Sequence, residues 1–256
     1  MSDESQLFLK EVILGEYAYI KARIGWRGLS STEYIKKGGA LLGAGNHIEN
    51  GRFNWTRCDR ISIERYEESP EIALQEKDVV ISKDGTIGRV AYIEKLPSIA
   101  TINGTMMLIR SKRKELEPLF LYHYLLGEKF QSLIREKVSG SSVPHIFQRD
   151  MVGLKMNIPP LPEQKKIANI ISCVTEVIEN NQKQLDKLQY LKQSTLNELL
   201  TRGIGHQDFK VSELGMIPKS WQIKRFRDVC GVANGQVDPK KEPYSNMKHI
   251  GLVNIE

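Results

Sequence analysis

The sequence predicts an α+β fold in which a mixed-β domain is followed by a long helix and by the start of a further domain. Three observations support this prediction. Residues 1–157 alternate short β-rich runs with turns rich in glycine and asparagine. Residues 158–203 carry apolar side chains at helical spacing, and a new glycine-containing pattern begins near Trp221. A change of hydrophobic period along a chain marks a change of structural element.

The mixed-β prediction for residues 1–157 comes from a few well-marked segments. Residues 78–93 are typical of a hairpin, because two β-rich runs flank the turn dipeptide Asp84-Gly85. Residues 100–110 predict a further strand, residues 118–138 a helix, and residues 152–158 a short strand. Residues 139–151 are polar and predict a loop between the last two elements.

The long helix is predicted over residues 158–203. Pro162 suits the first helical turn, and Gly203 suits the helix end. The apolar seam has alternating spacings of four and three: Ile167, Ile171, Val174, Ile178, Asn181, Leu185, Leu188, Lys192, Thr195 and Leu199. This heptad pattern predicts a coiled coil, and about 40 residues at about 1.5 Å each give a rod of roughly 60 Å. A core helix of a globular domain is the alternative.

After the helix, residues 204–220 are predicted to be a linker and residues 221–256 the start of an incomplete second domain. The tail contains Asn254-Ile255-Glu256 after a glycine-containing turn, an order that echoes Asn46-His47-Ile48-Glu49 in the first domain. The echo suggests a duplicated domain type.

Composition favours a folded protein with an anionic partner. The chain of 256 residues is 40% hydrophobic and carries a net charge of +6, a balance that favours nucleic acid among possible partners. Cys58, Cys173 and Cys230 are widely spaced, which predicts free thiols in a reducing cytoplasm. The acidic N-terminus and the lack of a run of about 18 apolar residues predict neither a signal peptide nor a membrane span.

Four polar segments are candidates for DNA contact. Lys83 and Arg89 lie at the two ends of the turn of residues 83–89, where they could contact phosphates. The alternative is that this turn is only the tip of a hairpin. The loop of residues 139–150, the basic turn of residues 21–28 and the polar turn of residues 45–57 offer side chains that bind phosphates or read base edges. Each of these segments could equally be a solvated or capping loop. The predicted DNA-binding residues are Lys21, Arg23, Arg27, Asn46, Lys83, Arg89, Ser141, Ser142, His145 and Gln148.

Catalytic and metal-binding motifs are missing from the sequence. The turn of residues 83–89 fits neither glycine-rich nucleotide-binding motif, and Ser141 lies in no G-x-S-x-G elbow. Asp150 with Glu163-Gln164-Lys165 imitates a nuclease pattern, but the positive end of a helix explains Glu163. The five histidines lack ligand spacing, and there is no Asn/Asp-Pro-Pro-Tyr/Phe motif of a methyltransferase. We therefore expect neither catalytic residues nor a metal site.

Several segments, taken in order, resemble the DNA-specificity subunit of type I restriction-modification enzymes. They are KDVVISKDGTIGRVAYI (77–93), INGTMMLIR (102–110), SGSSVPHIFQRDMVGLKMNIPPLPEQKKIANIIS (139–172) and NELLTRGIG (197–205). The resemblance implies target-recognition domains that each read half of a split DNA site, joined by antiparallel spacer helices. It also implies docking with methyltransferase subunits and a motor-nuclease subunit, which bring S-adenosylmethionine, ATP and Mg²⁺, while the specificity subunit needs no cofactor.

Compared with that family plan, the sequence has one recognition domain, one spacer helix and the start of a second recognition domain, so we expect a truncated subunit. The missing second helix would come from another copy of the chain or from a separate specificity polypeptide. In an antiparallel homodimer, Asn181 would meet its counterpart near the midpoint and help to fix the register. One alternative is a regulatory fragment that docks on the methyltransferase without giving sequence specificity. Another is an unrelated coiled-coil structural protein.

Overall fold

The computed structural model describes residues 9–23, 29–139, 145–231, 235 and 237–248. The chain divides into two compact units, Met1–Asn181 and Gln182–Glu256, and one long helix runs through both ranges. The strands are β1 Lys10–Ile13, β2 Ala18–Ala22, β3 Ala40–Gly43, β4 Ile48–Glu49, β5 Arg52–Phe53, β6 Asp59–Ile61, β7 Val79–Ser82, β8 Val90–Tyr92, β9 Ala100–Ile102, β10 Met106–Ser111, β11 Lys155–Ile158, β12 Phe209–Ser212 and β13 Gly215–Pro218. The helices are α1 Leu14–Tyr17, α2 Ile63–Glu67, α3 Pro118–Leu126, α4 Glu128–Ser139, α5 Gln148–Val152, α6 Leu161–Arg202 and α7 Phe226–Val229.

An antiparallel sheet of order β2-β10-β7-β8 forms the centre of the N-terminal domain, which comprises the described residues up to Ile158. Successive side chains of β10 enter different cores, since neighbouring residues of a strand face opposite sides of a sheet. Met107 and Ile109 belong to a cluster that α3, α4 and α5 help to form. Met106 and Leu108 belong to a second cluster shared with β3 and β9. All four side chains are fully buried.

A second sheet of order β6-β3-β9 packs through that second cluster against the central sheet. Its β3 and β9 strands run parallel, while β6 is antiparallel to β3. Leu41 on β3 and Ile102 on β9 contribute buried side chains to the shared core. The N-terminal domain therefore has two layers of sheet, with helices on the outer face of the central one.

The structure confirms the predicted hairpin and corrects several neighbouring assignments. Strands β7 and β8 pair antiparallel around the Asp84-Gly85 turn. The single strand predicted for residues 100–110 is wrong, because residues 103–105 separate β9 from β10. The single helix predicted for residues 118–138 is broken at Gly127, whose backbone is extended (ψ 148°). The predicted loop of residues 139–151 contains most of α5, and the predicted strand of residues 152–158 is shortened to β11.

The long helix is confirmed as α6, with 42 residues, although it begins at Leu161 and not at residue 158, which belongs to β11. It ends where Gly203 adopts a φ of +67° and its N–H donates to the carbonyl of Leu199 at 3.0 Å. A left-handed residue directly after a helix is the usual stop, and glycine adopts that conformation without strain. In the part of the chain that the structure describes, no helix has the length and apolarity to cross a membrane.

The segment predicted to be a linker, residues 204–220, contains the β12–β13 hairpin and is therefore more ordered than expected. Gly215 supplies a φ of +94° at the turn. The Lys210 ammonium donates to the carbonyls of Lys219 and Trp221 at 3.0 and 2.6 Å, which fixes the exit of the hairpin. Asn254, Ile255 and Glu256, on which the predicted domain echo rests, lie outside the described residues.

Candidate nucleic-acid interface

Several loops meet at one edge of the N-terminal domain, because the strands that precede or follow these loops start or end at paired positions. Ser82, the last residue of β7, pairs with Met106 at the start of β10, and Ala22 at the end of β2 pairs with Met107. In the second sheet, Gly43 at the end of β3 pairs with Ile102 at the end of β9. We call this the loop edge, and it comprises residues 21–23, 44–47, 83–89, 103–105 and 145–148.

The turn of residues 83–89 is held firmly at the loop edge. The N–H groups of Lys83 and Asp84 both donate to the carbonyl of Thr105, at 2.8 and 3.3 Å. Ser82 Oγ accepts from the N–H of Arg89 at 2.9 Å and donates to a carbonyl across the turn. These bonds fix the backbone from which Lys83 and Arg89 extend.

Lys83 and His145 share one carboxylate at this edge. The Lys83 ammonium lies 2.9 Å from Asp84 Oδ2, and His145 Nδ1 contacts Asp84 Oδ1. Partial burial alone would raise the pKa of Asp84, but the hydrogen bonds from Lys83 and His145 outweigh it and hold that pKa below its usual value. The N–H of Ile146 also donates to the carbonyl of Lys83 at 3.1 Å. The structure thus brings two predicted contact residues together.

Arg89 and Asn46 form a second pair of neighbouring predicted residues. Both are exposed, and the Arg89 guanidinium lies 3.5 Å from the carbonyl of Gly45, directly before Asn46. The turn that carries Asn46 is anchored by His47, whose buried Nδ1 accepts from the N–H of Ala44 at 3.2 Å. Burial lowers the pKa of His47. Asn46 and Arg89 can therefore face a ligand from a rigid base.

The remaining described candidates for DNA contact, Arg23, Gln148 and Lys21, have side chains that are less exposed or already engaged within the domain. Arg23 is only 5% exposed, and its guanidinium donates to the Ile102 carbonyl and the Ser69 hydroxyl at 3.3 and 3.2 Å. Burial lowers the pKa of Arg23, and its contacts within the domain leave it less accessible than the prediction of DNA binding assumes. Gln148 donates its amide to the carbonyl of Ile20 at 3.0 Å, and Lys21 is half-exposed with its ammonium 5.7 Å from the centre of the Tyr19 ring. Arg27, Ser141 and Ser142 lie outside the described residues.

The sequence-based selection missed further polar and aromatic groups at the loop edge. Phe147 is 46% exposed, and the Arg149 guanidinium stacks 4.5 Å from the centre of its ring. Thr86 is exposed at the hairpin tip, and Asn103 accepts from the N–H and hydroxyl of Thr105. The Asn103-Gly104 turn dipeptide and an aromatic residue two positions before an arginine were the available sequence signals.

The described residues contain no group of three or more histidine, cysteine, aspartate or glutamate side chains placed to hold a metal ion. Asp150, part of the apparent nuclease pattern, accepts from the N–H of Phe147 at 3.1 Å and so caps α5. Glu163 lies in the first turn of α6, where a carboxylate is favoured by the helix dipole. Both carboxylates thus have a structural explanation.

The predicted seam of α6 is mostly exposed among the described residues. Ile167 packs on the core of the N-terminal domain, but later members have exposed fractions such as 62% for Ile178 and 61% for Leu188. Asn181 lies among them and is exposed. The other large, exposed apolar seam residues are Ile171, Val174, Leu185 and Leu199, joined on neighbouring faces by Ile170, Val177, Leu191, Leu196 and Leu200.

A two-layered domain with polar and basic loops at one edge, continuing into a long helix with exposed apolar residues, has the features of a DNA-recognition module. Residues 32–190 match the family described as the type I restriction modification DNA specificity domain. This match extends over more than half of the chain, and the chain therefore belongs to that family.

Curated relatives agree with the family assignment. The chain is 29% identical over 167 residues to the type I restriction enzyme MjaVIII specificity subunit of Methanocaldococcus jannaschii, covering 65% of this chain and 38% of that protein. It is 23% identical to the EcoDI specificity subunit of Escherichia coli, covering 92% of this chain and 55% of that protein. The chain thus spans about half or less of these curated relatives.

Two solved structures share the fold. An S subunit from M. genitalium aligns with a TM-score of 0.50 and 18% identity, covering 75% of this chain and 45% of that one. An HsdS subunit from Thermoanaerobacter tengcongensis aligns with a TM-score of 0.50 and 20% identity, covering 74% and 44%. They confirm the predicted α+β fold with a long helix.

Proposed function

We propose that this chain supplies sequence recognition to a type I restriction-modification complex, directing adenine methylation and restriction to a two-part DNA site. The observation that carries the proposal is the loop edge, where Asn46, Lys83, Arg89 and His145 come together on well-anchored turns. Family membership supports the partners in this proposal, which are methyltransferase subunits, a motor-nuclease subunit and duplex DNA.

On this proposal the side chains of the loop edge have two kinds of task. Lys83 and Arg89 contact phosphates and set the register on the duplex, because their charges attract any backbone whatever its sequence. Asn46 reads a base edge in the major groove, since an amide pairs with adenine through two hydrogen bonds. The His145–Asp84 contact keeps the Lys83 turn in place while it does so.

The chain itself acts without catalysis in this scheme. The methyltransferase subunit binds S-adenosylmethionine, and the motor-nuclease subunit uses ATP and Mg²⁺. The exposed seam of α6 supports a role as a spacer and docking surface for a second helix, from another copy of this chain or from a separate specificity polypeptide. Mutual burial of such a seam is the usual driving force of a coiled coil.

The decisive experiment is co-expression of the full chain with a type I methyltransferase subunit, followed by mapping of methylated adenines on a random-sequence DNA library. We expect a complex that methylates one defined site. Asn46→Ala should relax the sequence preference while leaving complex formation intact. Arg113→Ala is a matched surface control, because Arg113 is exposed beyond the opposite end of β10.

The outcomes separate this proposal from its alternatives. A complex that forms but methylates no defined sequence would indicate a regulatory fragment that docks by α6 alone, which the exposed seam would also allow. A chain that binds neither the methyltransferase nor DNA would contradict both the recognition function and the regulatory alternative. If the chain self-associates through α6, the methylated site should be a gapped palindrome.

A further inference from the structure

Gln164 is a glutamine in the first turn of α6 whose side chain is completely buried. Its Oε1 accepts from the N–H of Glu117 at 2.9 Å. Its Nε2 donates to the carbonyls of Glu115 and Pro159, both at 2.8 Å. One amide therefore joins three backbone groups, two of them in the segment between β10 and α3. A buried amide that is paired with three backbone groups holds those groups firmly, because the loss of one hydrogen bond would leave a buried polar group unpaired.

Further contacts along the same face of α6 also attach the helix to the N-terminal domain. Ala168 is buried, and Ile167 packs on the core beside α3. Two turns after Gln164, Ser172 Oγ lies 3.0 Å from His123 Nε2 on α3. Residues at these spacings share one helix face. After residue 172 the apolar side chains of α6 are exposed, so the contacts from Gln164 to Ser172 determine how the helix leaves the N-terminal domain.

We propose that Gln164 is a positioning residue: it fixes the direction of the first turns of α6 on the N-terminal domain, and through that direction it sets the gap between the two halves of the DNA site. The link to the gap rests on the function proposed above. At about 1.5 Å per residue, a tilt of about 10° at the start moves a helix position about 40 residues further on by about 10 Å, which is about three base pairs. A small change in the direction of α6 at Gln164 thus becomes a large displacement further along the helix.

The attachment also explains why glutamine is needed at this position. Methionine has a similar shape but neither donates nor accepts strongly, and so Gln164→Met keeps the packing while removing all three bonds. Gln182 is the matched control, because it lies exposed on the same helix and bonds only to Asp186 among the described contacts, at 2.9 Å.

The first measurement needs no DNA. Spin labels on cysteines introduced at the exposed positions Ser98 and Asn180 report the distance between the N-terminal domain and α6 in the full chain, once the three native cysteines are replaced. The parent chain should give one narrow distance distribution. Gln164→Met should broaden or split it, and Gln182→Met should leave it unchanged. An unchanged distribution in Gln164→Met would overturn the proposal.

The second measurement is methylation by the complex with a methyltransferase subunit, on a library in which the gap between half-sites varies by single base pairs. Gln164→Met should reduce the preference for the best gap over its neighbours by about fivefold or more, the factor that one lost hydrogen bond represents in an equilibrium. An equal fall at every gap would mean that Gln164 serves stability alone, and would overturn the proposal.

Two provisions keep the test decisive. If Gln164→Met does not fold, Ser172→Ala removes the peripheral bond to His123 and should give a smaller broadening of the same distribution. Its failure to do so would count against the attachment. If the unaltered complex methylates no site at any gap, the proposed function fails, whereas the distance distributions still decide whether Gln164 fixes the helix.

Discussion

Arg110 donates to both carboxylate oxygens of Asp78, from Nε to Oδ1 at 2.7 Å and from Nη2 to Oδ2 at 2.8 Å. The Asp78 side chain is fully buried, and its Oδ2 also accepts from the N–H of Gln75 at 2.7 Å. The hydrogen bond to Asp78 raises the pKa of Arg110. Because Asp78 directly precedes β7 and Arg110 lies on β10, the pair joins the two central strands at the end opposite the loop edge.

Asp78→Ala should therefore destabilise the N-terminal domain strongly. It leaves a partly buried guanidinium without its counter-charge and unpairs the N–H of Gln75, and such a change costs about 3–5 kcal/mol when the pair is fully buried. Urea denaturation followed by circular dichroism measures the free energy of unfolding. Asp186→Ala on exposed α6 is the control and should change it by less than about 0.5 kcal/mol. A loss below about 1 kcal/mol for Asp78→Ala would contradict the assigned role.

The buried His47 should make stability sensitive to acid. Burial lowers its pKa in the folded chain below the ordinary 6.5, with Asp59 only partly opposing the effect. The unfolded chain then takes up the proton first, so the contribution of His47 to stability is complete above pH 6.5 and is lost as the pH falls below it. His47→Asn keeps an acceptor for the N–H of Ala44 and should flatten the stability profile below pH 6.5. Identical stability profiles of the parent chain and His47→Asn in urea titrations from pH 8 to pH 5 would refute the role of His47 in acid sensitivity.

The features that the sequence predicts well are those with local causes. The β7–β8 hairpin follows from two β-rich runs around Asp84-Gly85, and the bounds of α6 follow from Pro162, a heptad seam and Gly203. In each case neighbours in sequence supply the decisive contacts. The grouping of Asn46, Lys83 and Arg89 at one edge depends on strand pairing, and the individual turns were predicted without that arrangement.

The features that the sequence predicts poorly depend on distant partners. Arg23 resembles a basic surface residue, but Ile102 and Ser69, far away in sequence, bury it. The break between β9 and β10 lies where the chain passes from one sheet to the other, and there the Thr105 carbonyl accepts from the N–H groups of Lys83 and Asp84. Similarly, the part played by Gln164 is hidden until α3 is placed beside the start of α6. Charge and periodicity do not encode such tertiary hydrogen bonds.

The three cysteines should divide into two reactive thiols and one protected thiol. Burial raises the pKa of Cys58 to about 12, whereas Cys173 and Cys230 are exposed. Since the thiolate is the reacting species, Cys58 should react far more slowly at pH 8. Titration with a chromogenic disulfide should show two fast equivalents and a third only after denaturant is added. Cys58→Ala should abolish the slow phase, and three fast equivalents in the folded chain would contradict the burial of Cys58.

The exposed seam of α6 should drive association. Leu185→Lys with Leu188→Lys removes two apolar side chains from the seam, each worth about 1.5–3 kcal/mol when fully buried. Binding to the helical partner, measured by light scattering and co-purification, should weaken by about 100-fold or more. Lys183→Gln with Lys187→Gln, exposed positions on the same stretch of helix outside the seam, is the control. Undiminished association in the leucine variant would exclude the seam as the docking surface.

Arg89 should contribute to DNA binding chiefly through a phosphate. Binding that neutralises phosphates releases counterions, and the logarithm of affinity falls with the logarithm of salt concentration by about 0.9 per contact. Arg89→Gln should therefore weaken binding on specific and random duplexes alike and reduce the salt slope by about 1. Fluorescence anisotropy on labelled duplexes between about 50 and 200 mM salt covers the range in which such slopes are measurable.

The control for Arg89 is again Arg113, an exposed arginine whose guanidinium lies 4.8 Å from the centre of the Tyr17 ring, beyond the other end of β10. Arg113→Gln changes the net charge equally but should leave the salt slope unchanged. The reason is that Arg113 lies beyond the end of β10 opposite the loop edge, where it makes no phosphate contact. If both variants lower the slope equally, net charge alone explains the binding. If Arg89→Gln affects one sequence and not another, Arg89 reads a base instead, since a guanidinium can bind guanine through two hydrogen bonds.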